Sequence, residues 1–127
     1  MKKQFVIGLA VLSFLVLFSL PVLANVTIVD FELEIELKDG QKYDLEYEVK
    51  PQYVVAKYRV PNVETTYGAQ AQASIEAMFQ EVPMSAGTSK RDLKNSILNY
   101  FNINNRDVED FEIEIKFSDG TKLEFER

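Results

Sequence analysis

Acidic side chains at alternate positions are the residues of this 127-residue chain with the clearest capacity for chemistry. They occur in two similar segments, DFELEIELKDGQKYDLE at 30–46 and DFEIEIKFSDGTKLEFE at 110–126, in which nine residues recur identically at an offset of 80. Paired carboxylates can hydrolyse glycosides, bind divalent cations or attract a basic partner. The chain has no His and no Cys, which excludes Ser-His-Asp and Cys-His nucleophilic sites and the zinc and haem sites built on those ligands. We therefore predict no catalytic residue, no cofactor and no dedicated metal ligand.

Each acidic segment has the pattern of a strand that enters a tight hairpin turn, because apolar and charged residues alternate before an Asp-Gly pair. A two-residue turn would place apolar residues opposite charged ones on every rung. A three-residue loop over 38–40 instead pairs Leu33 with Leu45 and keeps one face apolar. We therefore predict a glycine bulge in both hairpins, with Gly40 and Gly120 in the left-handed conformation.

The same register gathers carboxylates on the opposite face of the two hairpins. It places carboxylates directly opposite each other on four rungs, which is destabilising. These residues form a candidate interaction face, called the acidic face below: Glu32, Glu34, Asp44, Glu46, Glu112, Glu114, Glu124 and Glu126. Two interpretations stay open. The face is either a solvated surface that prevents edge-to-edge aggregation, or a docking site for a basic partner or divalent cations.

A third strand is predicted over residues 53–60 (YVVAKYRV), and residues 61–68 are predicted to form a loop. The alternation puts Tyr53 and Val55 on the same side of this strand as two basic residues, Lys57 and Arg59. Those two bases would relieve part of the repulsion on the acidic face.

Two helices are predicted between the third strand and the second hairpin. Apolar residues at helical spacing indicate one helix over Ala69–Val82, and Ser89 is placed as the N-cap of a second. The order β-β-β-α-α-β-β predicts an α+β fold. It consists of an antiparallel sheet of about five strands with two helices packed on one face, and the other face is open to water.

A signal peptide is predicted over residues 1–24. Two lysines precede an apolar run at 5–18, and Val22 and Ala24 occupy positions −3 and −1 of a cleavage site. The alternative is a retained membrane anchor. Without the two lysines the net charge changes from −6 to −8, carried by one domain over 25–127. Such an acidic domain repels nucleic acid and favours a basic protein partner.

The order of these features resembles the YusW-like family of small bacterial exported proteins. The resemblance is carried by FELEIELKDG at 31–40, ASIEAMFQEV at 73–82, SKRDLKNSILNYFNI at 89–103 and DFEIEIKFSDGTKLEFE at 110–126. It implies the same fold order and a cell-envelope location. The family has no established activity, so the resemblance implies no catalytic residue. Its members typically resemble lipoproteins with a Cys at the processing site, which this chain lacks.

These observations predict a non-enzymatic protein, secreted or held in the cell envelope, whose acidic face binds a protein partner. The alternatives are a divalent-cation-binding domain and an inhibitor of an extracellular enzyme that inserts the loop 61–68, with Tyr67 as its anchor. A hydrolase that uses two carboxylates is disfavoured, because a flat sheet face offers no cleft. Membrane contact is expected only if the signal segment is retained.

Overall fold

The computed structural model describes residues 26–126, so the predicted signal segment lies outside the described residues. The fold is α+β, as predicted. Its elements are β1 (Ile28–Leu37), β2 (Lys42–Val49), β3 (Val54–Arg59), β4 (Thr66–Tyr67), α1 (Gly68–Glu81), α2 (Lys90–Tyr100), a 3₁₀ turn (Asn105–Asp107), β5 (Val108–Phe117) and β6 (Lys122–Glu126). Across residues 26–126, neither helix has the length and apolar character needed to cross a bilayer.

The six strands form one antiparallel sheet in the order β4-β3-β2-β1-β5-β6. The two hairpins therefore lie side by side, with β1 and β5 as neighbours. The prediction of a loop over 61–68 was wrong at its end, because Thr66 and Tyr67 pair with β3 as the short strand β4. Two residues are too few to show the alternation by which a strand is recognised in a sequence.

Both hairpins have the predicted register. Leu33 pairs with Leu45 in the first hairpin, and Ile113 pairs with Phe125 in the second. Gly40 and Gly120 have φ angles of 92° and 88°, and each amide donates a hydrogen bond to the carbonyl three residues earlier. Glycine adopts this conformation without the steric cost that a Cβ atom adds, so the Asp-Gly pairs fix the faces of both hairpins.

One hydrophobic core lies between the sheet and the two helices. Phe79 of α1 packs edge-on against the rings of Phe31 and Tyr47, with centroids 5.1 Å apart in both pairs, and Lys94 of α2 lies over the ring of Phe111. The largest fully buried side chains are Phe31, Leu33, Ile35, Leu45, Ile75, Met78, Leu93, Ile97, Phe111 and Ile115. No polar or charged residue within 26–126 is buried, so the charged residues of the central strands are confined to the other face.

Candidate functional site

The eight residues of the acidic face lie on four adjacent strands: β2, β1, β5 and β6. Their side chains point away from the helices, because the residues that alternate with them are in the core. Along β1, for example, Leu33 is fully buried, whereas Glu32 and Glu34 on either side of it are exposed. The structure therefore brings all eight predicted residues together on one open surface.

Cross-strand pairing arranges the eight carboxylates in two parallel rows of four. The first row is Glu46, Glu32, Glu114 and Glu124, and the second row is Asp44, Glu34, Glu112 and Glu126. The hairpin registers predicted the outer pairs of each row. The two central pairs arise where β1 meets β5, which the sequence did not reveal. Strands are spaced about 4.8 Å apart, so each row extends about 14 Å across the sheet.

A local two-fold axis relates the two rows. The acidic segments repeat at an offset of 80, and Leu33 pairs directly with Ile113, its own equivalent in the second segment. Two equivalent residues that pair across antiparallel strands lie on either side of a two-fold axis perpendicular to the sheet. This axis exchanges Glu32 with Glu112 and the first row with the second.

Lysines of β3, β5 and β6 form ion pairs with the acidic face. Lys57 Nζ of β3 lies 2.7 Å from Asp44 Oδ2. At the opposite margin, Lys122 Nζ lies 2.8 Å from Glu124 Oε2 and 3.7 Å from Glu114 Oε1. At the centre of the face each carboxylate pairs across the strands only with other carboxylates. Among these central acids, Glu114 also has Lys116 and Lys122 at 3.7 Å.

Partial burial and the crowding of like charges change the acidity of two central carboxyls, Glu32 and Glu112. Partial burial, followed by the neighbouring carboxylates, raises the pKa of Glu32. The same causes raise the pKa of Glu112. By contrast, the hydrogen bond from Lys122 lowers the pKa of Glu124 at the margin. A positive charge placed over the centre would therefore be stabilised by groups that now repel each other.

The acidic face is concave rather than flat, which corrects the expectation from sequence. A depression of about 150 Å³ lies over the two rows, and all eight carboxylates line it. Enclosed small-molecule sites usually measure about 300–1,000 Å³, so this depression suits charged groups that project from a larger partner. Within residues 26–126, no group of three or more Asp, Glu, His or Cys side chains is arranged to hold a metal ion.

Apolar side chains that the candidate face did not include lie beside it. Tyr67 is not at the tip of a loop but in β4, where it pairs with Lys57 and is 66% exposed. Tyr53, immediately before β3, and Val55, in β3, are also exposed. The alternation of residues 53–60 already placed the last two on this side of the sheet. That alternation is the sequence signal that could have added them to the face.

The fold and the surface define a small α+β protein with one helix-covered sheet face and one acidic open face. A family model described as YusW-like protein matches residues 29–119, from β1 to the turn after β5. The chain therefore belongs to the YusW-like protein family, a family of unknown function. No curated protein and no solved structure matches the chain.

Proposed function

We propose that this protein is an exported, non-enzymatic interaction domain whose acidic face binds a cationic segment of a partner protein. The observation that supports this proposal most directly is the alignment of eight carboxylates in two rows across four strands. Like charges opposite each other weaken a sheet, and lysines at alternate positions would have avoided the repulsion. A bound cationic segment would turn that repulsion into attraction.

The spacing of the rows describes the charges that the partner would carry. Glu32 and Glu34 stand two residues apart on one strand, so the rows are separated by about 6.6 Å. An extended peptide directs every second side chain to one side at this same spacing. Lysine or arginine at alternate positions would therefore reach both rows from a segment parallel to the strands, or one whole row from a segment that crosses them.

Binding of an oligolysine peptide to the full chain tests the proposal. We expect saturable binding at about 0.1 M salt that is lost at about 1 M, because the Debye length falls from about 10 Å to about 3 Å. Replacing the four central acids by glutamine, Glu32/Glu34/Glu112/Glu114→Gln, should weaken binding at least about tenfold, which corresponds to about 1.4 kcal/mol.

A matched control separates the acidic face from net charge alone. Changing Glu64, Glu81 and Glu109 to glutamine and Asp92 to asparagine removes the same charge from exposed positions outside the face. This variant should bind oligolysine nearly as well as the unchanged protein. Equal losses in the two variants, or no binding to the unchanged protein, would contradict the proposal. A calcium titration by calorimetry, with no heat expected, excludes the divalent-cation alternative.

The export part of the proposal rests on residues 1–24, which lie outside the described residues. Mass spectrometry of the protein recovered from medium and membrane fractions should find Asn25 as the first residue. An intact amino terminus in the membrane fraction would indicate a retained anchor instead.

A further inference from the structure

Exposed apolar side chains gather at one margin of the open sheet face. Tyr53, Val55 and Tyr67, called the aromatic strip below, are 64%, 46% and 66% exposed. Val55 lies two residues before Lys57 on β3, and Tyr67 pairs with Lys57 across β3 and β4. Lys57 in turn pairs with Glu46. Since paired residues share a face, Val55 and Tyr67 lie on the same side of the sheet as the carboxylate rows, and Tyr53 precedes them just before β3.

The fold does not use the two tyrosines of the aromatic strip as it uses other tyrosines. Tyr47 donates a hydrogen bond to Glu76 from a buried position, and Tyr43 packs against the ring of Phe101. Within residues 26–126, Tyr53 and Tyr67 make no such hydrogen bond or ring contact. Adjacent exposed apolar side chains bordered by charge are typical of binding surfaces, and tyrosine is enriched among residues that dominate binding energy.

Strand pairing places Tyr67 in line with one carboxylate row. From β4 to β6 the paired residues are, in order, Tyr67, Lys57, Glu46, Glu32, Glu114 and Glu124. The second row meets Arg59 on β3 and has no paired residue on β4. The aromatic strip therefore breaks the two-fold symmetry of the face and gives the first row an apolar end and an acidic end.

We propose that the aromatic strip and the first carboxylate row form one docking surface for an extended basic segment that carries an aromatic side chain at one end. This inference rests on the proposed function and adds the direction and the apolar anchor of the bound segment. Charge complementarity supports it. Lysines pair with Glu114 and Glu124 at the β6 end of the first row, and Lys57 forms its ion pair with Asp44 of the second row. Among residues 26–126 no lysine therefore forms an ion pair with Glu46 or Glu32, the two acids of the first row nearest Tyr67. Five strand spacings separate β4 from β6, about 24 Å, which about seven extended residues span.

Two labelled peptides test this inference by fluorescence anisotropy with the full chain. One carries Phe at its amino end, followed by Lys and Gly in alternation, and the other has Gly in place of Phe. The Phe peptide should bind about five- to tenfold more tightly. Tyr67→Ser should lower the affinity for the Phe peptide to the level of the Gly peptide. The same variant should bind the Gly peptide as tightly as the unchanged protein does.

Two further variants control this experiment. Val63→Ser removes an apolar side chain that is 62% exposed in the loop before β4, and it should leave both affinities unchanged. Tyr67→Phe should keep the preference for the Phe peptide. Equal binding of the two peptides to the unchanged protein would overturn the docking surface and leave the proposed cationic function standing. Binding of neither peptide would overturn both, and an equal loss for both peptides in Tyr67→Ser would also overturn the docking surface.

Discussion

Glu32 shows at the scale of a single residue what the arrangement of strands does to a carboxyl group. Asp30 and Glu34 flank it along β1, Glu46 faces it from β2 and Glu114 from β5. Partial burial and these four carboxylates raise its pKa. A carboxyl whose pKa is higher in the folded than in the unfolded chain binds more protons when folded, so folding becomes more favourable as the pH falls.

Acidification from neutral pH towards the pKa of an unfolded glutamate should therefore increase the free energy of unfolding of this protein. The stabilisation should be complete below the pKa of about 4.3 of an unfolded glutamate and should be lost as the pH rises through the higher pKa of the folded state. Urea unfolding at a series of pH values measures it. The double variant Glu32→Gln/Glu112→Gln should flatten the dependence, because both residues have a raised pKa.

Glu64→Gln provides the control for this pH dependence, because Glu64 is an exposed acid outside the acidic face. It should leave the slope unchanged. Glu124 acts in the opposite direction, because its pKa is lowered in the folded chain. Its ionised form stabilises the fold above the pKa of an unfolded glutamate, and this stabilisation is lost as the pH falls through the lower pKa of the folded state. A free energy of unfolding that decreases steadily as the pH falls from neutral towards the pKa of unfolded glutamate would show that Glu32 and Glu112 do not govern this range.

Among the elements, the C-terminal end of α2 shows how the backbone conformation of one residue ends a helix and sets the direction of the segment that leads to β5. Asn102 has a φ of 57°, and its amide donates to the carbonyl of Asn99. The amide of Ile103 donates to the carbonyl of Leu98 over 2.8 Å, and both side chains belong to the core. These two hydrogen bonds define a Schellman motif with Asn102 at C′.

Replacing Asn102 by valine should destabilise the protein by about 1–2 kcal/mol, because a β-branched residue in the left-handed conformation clashes with its own backbone. Asn102→Gly should be neutral or slightly stabilising, because glycine adopts this φ freely. Asn99→Val is the matched control, since asparagine and valine have similar helix propensities and Asn99 is exposed inside the same helix. Chemical denaturation of the three variants measures the free energy of unfolding and tests the assignment of Asn102 to the C′ position. A similar destabilisation by Asn102→Val and Asn99→Val would refute that assignment.

The elements of this fold differ in how much of their geometry the sequence contains. Local chemistry specifies the hairpins, because only one register keeps Leu33 and Leu45 on a common apolar face. The pairing of β1 with β5 joins segments about 80 residues apart in the chain, and no turn between them sets their register. For this reason the acidic rungs could be predicted within each hairpin, whereas the continuous rows could not.

In the whole molecule, the two hairpins each contribute four acids to one continuous acidic face, and the local two-fold axis relates the two contributions. The repeat alone is compatible with two amphipathic hairpins that follow the same pattern independently. The sheet adds that Leu33 pairs with its own equivalent, Ile113, so each acid of one hairpin has a counterpart at the equivalent register position of the other. The aromatic strip lies outside this symmetry, since residues 53–67 belong to neither hairpin.

Double-mutant cycles on stability test this equivalence. Glu32 and Glu114 face each other directly, so replacing both by glutamine should stabilise less than the sum of the two single changes, with a coupling of about 0.2–1 kcal/mol. The symmetry-related pair, Glu34 and Glu112, should give a coupling of the same sign and size. Glu32 and Glu112 are diagonal neighbours about 7–8 Å apart, so their cycle should be closest to additive. Unequal couplings for the two facing pairs would mean that the halves of the acidic face are equivalent in backbone register but not in electrostatic environment.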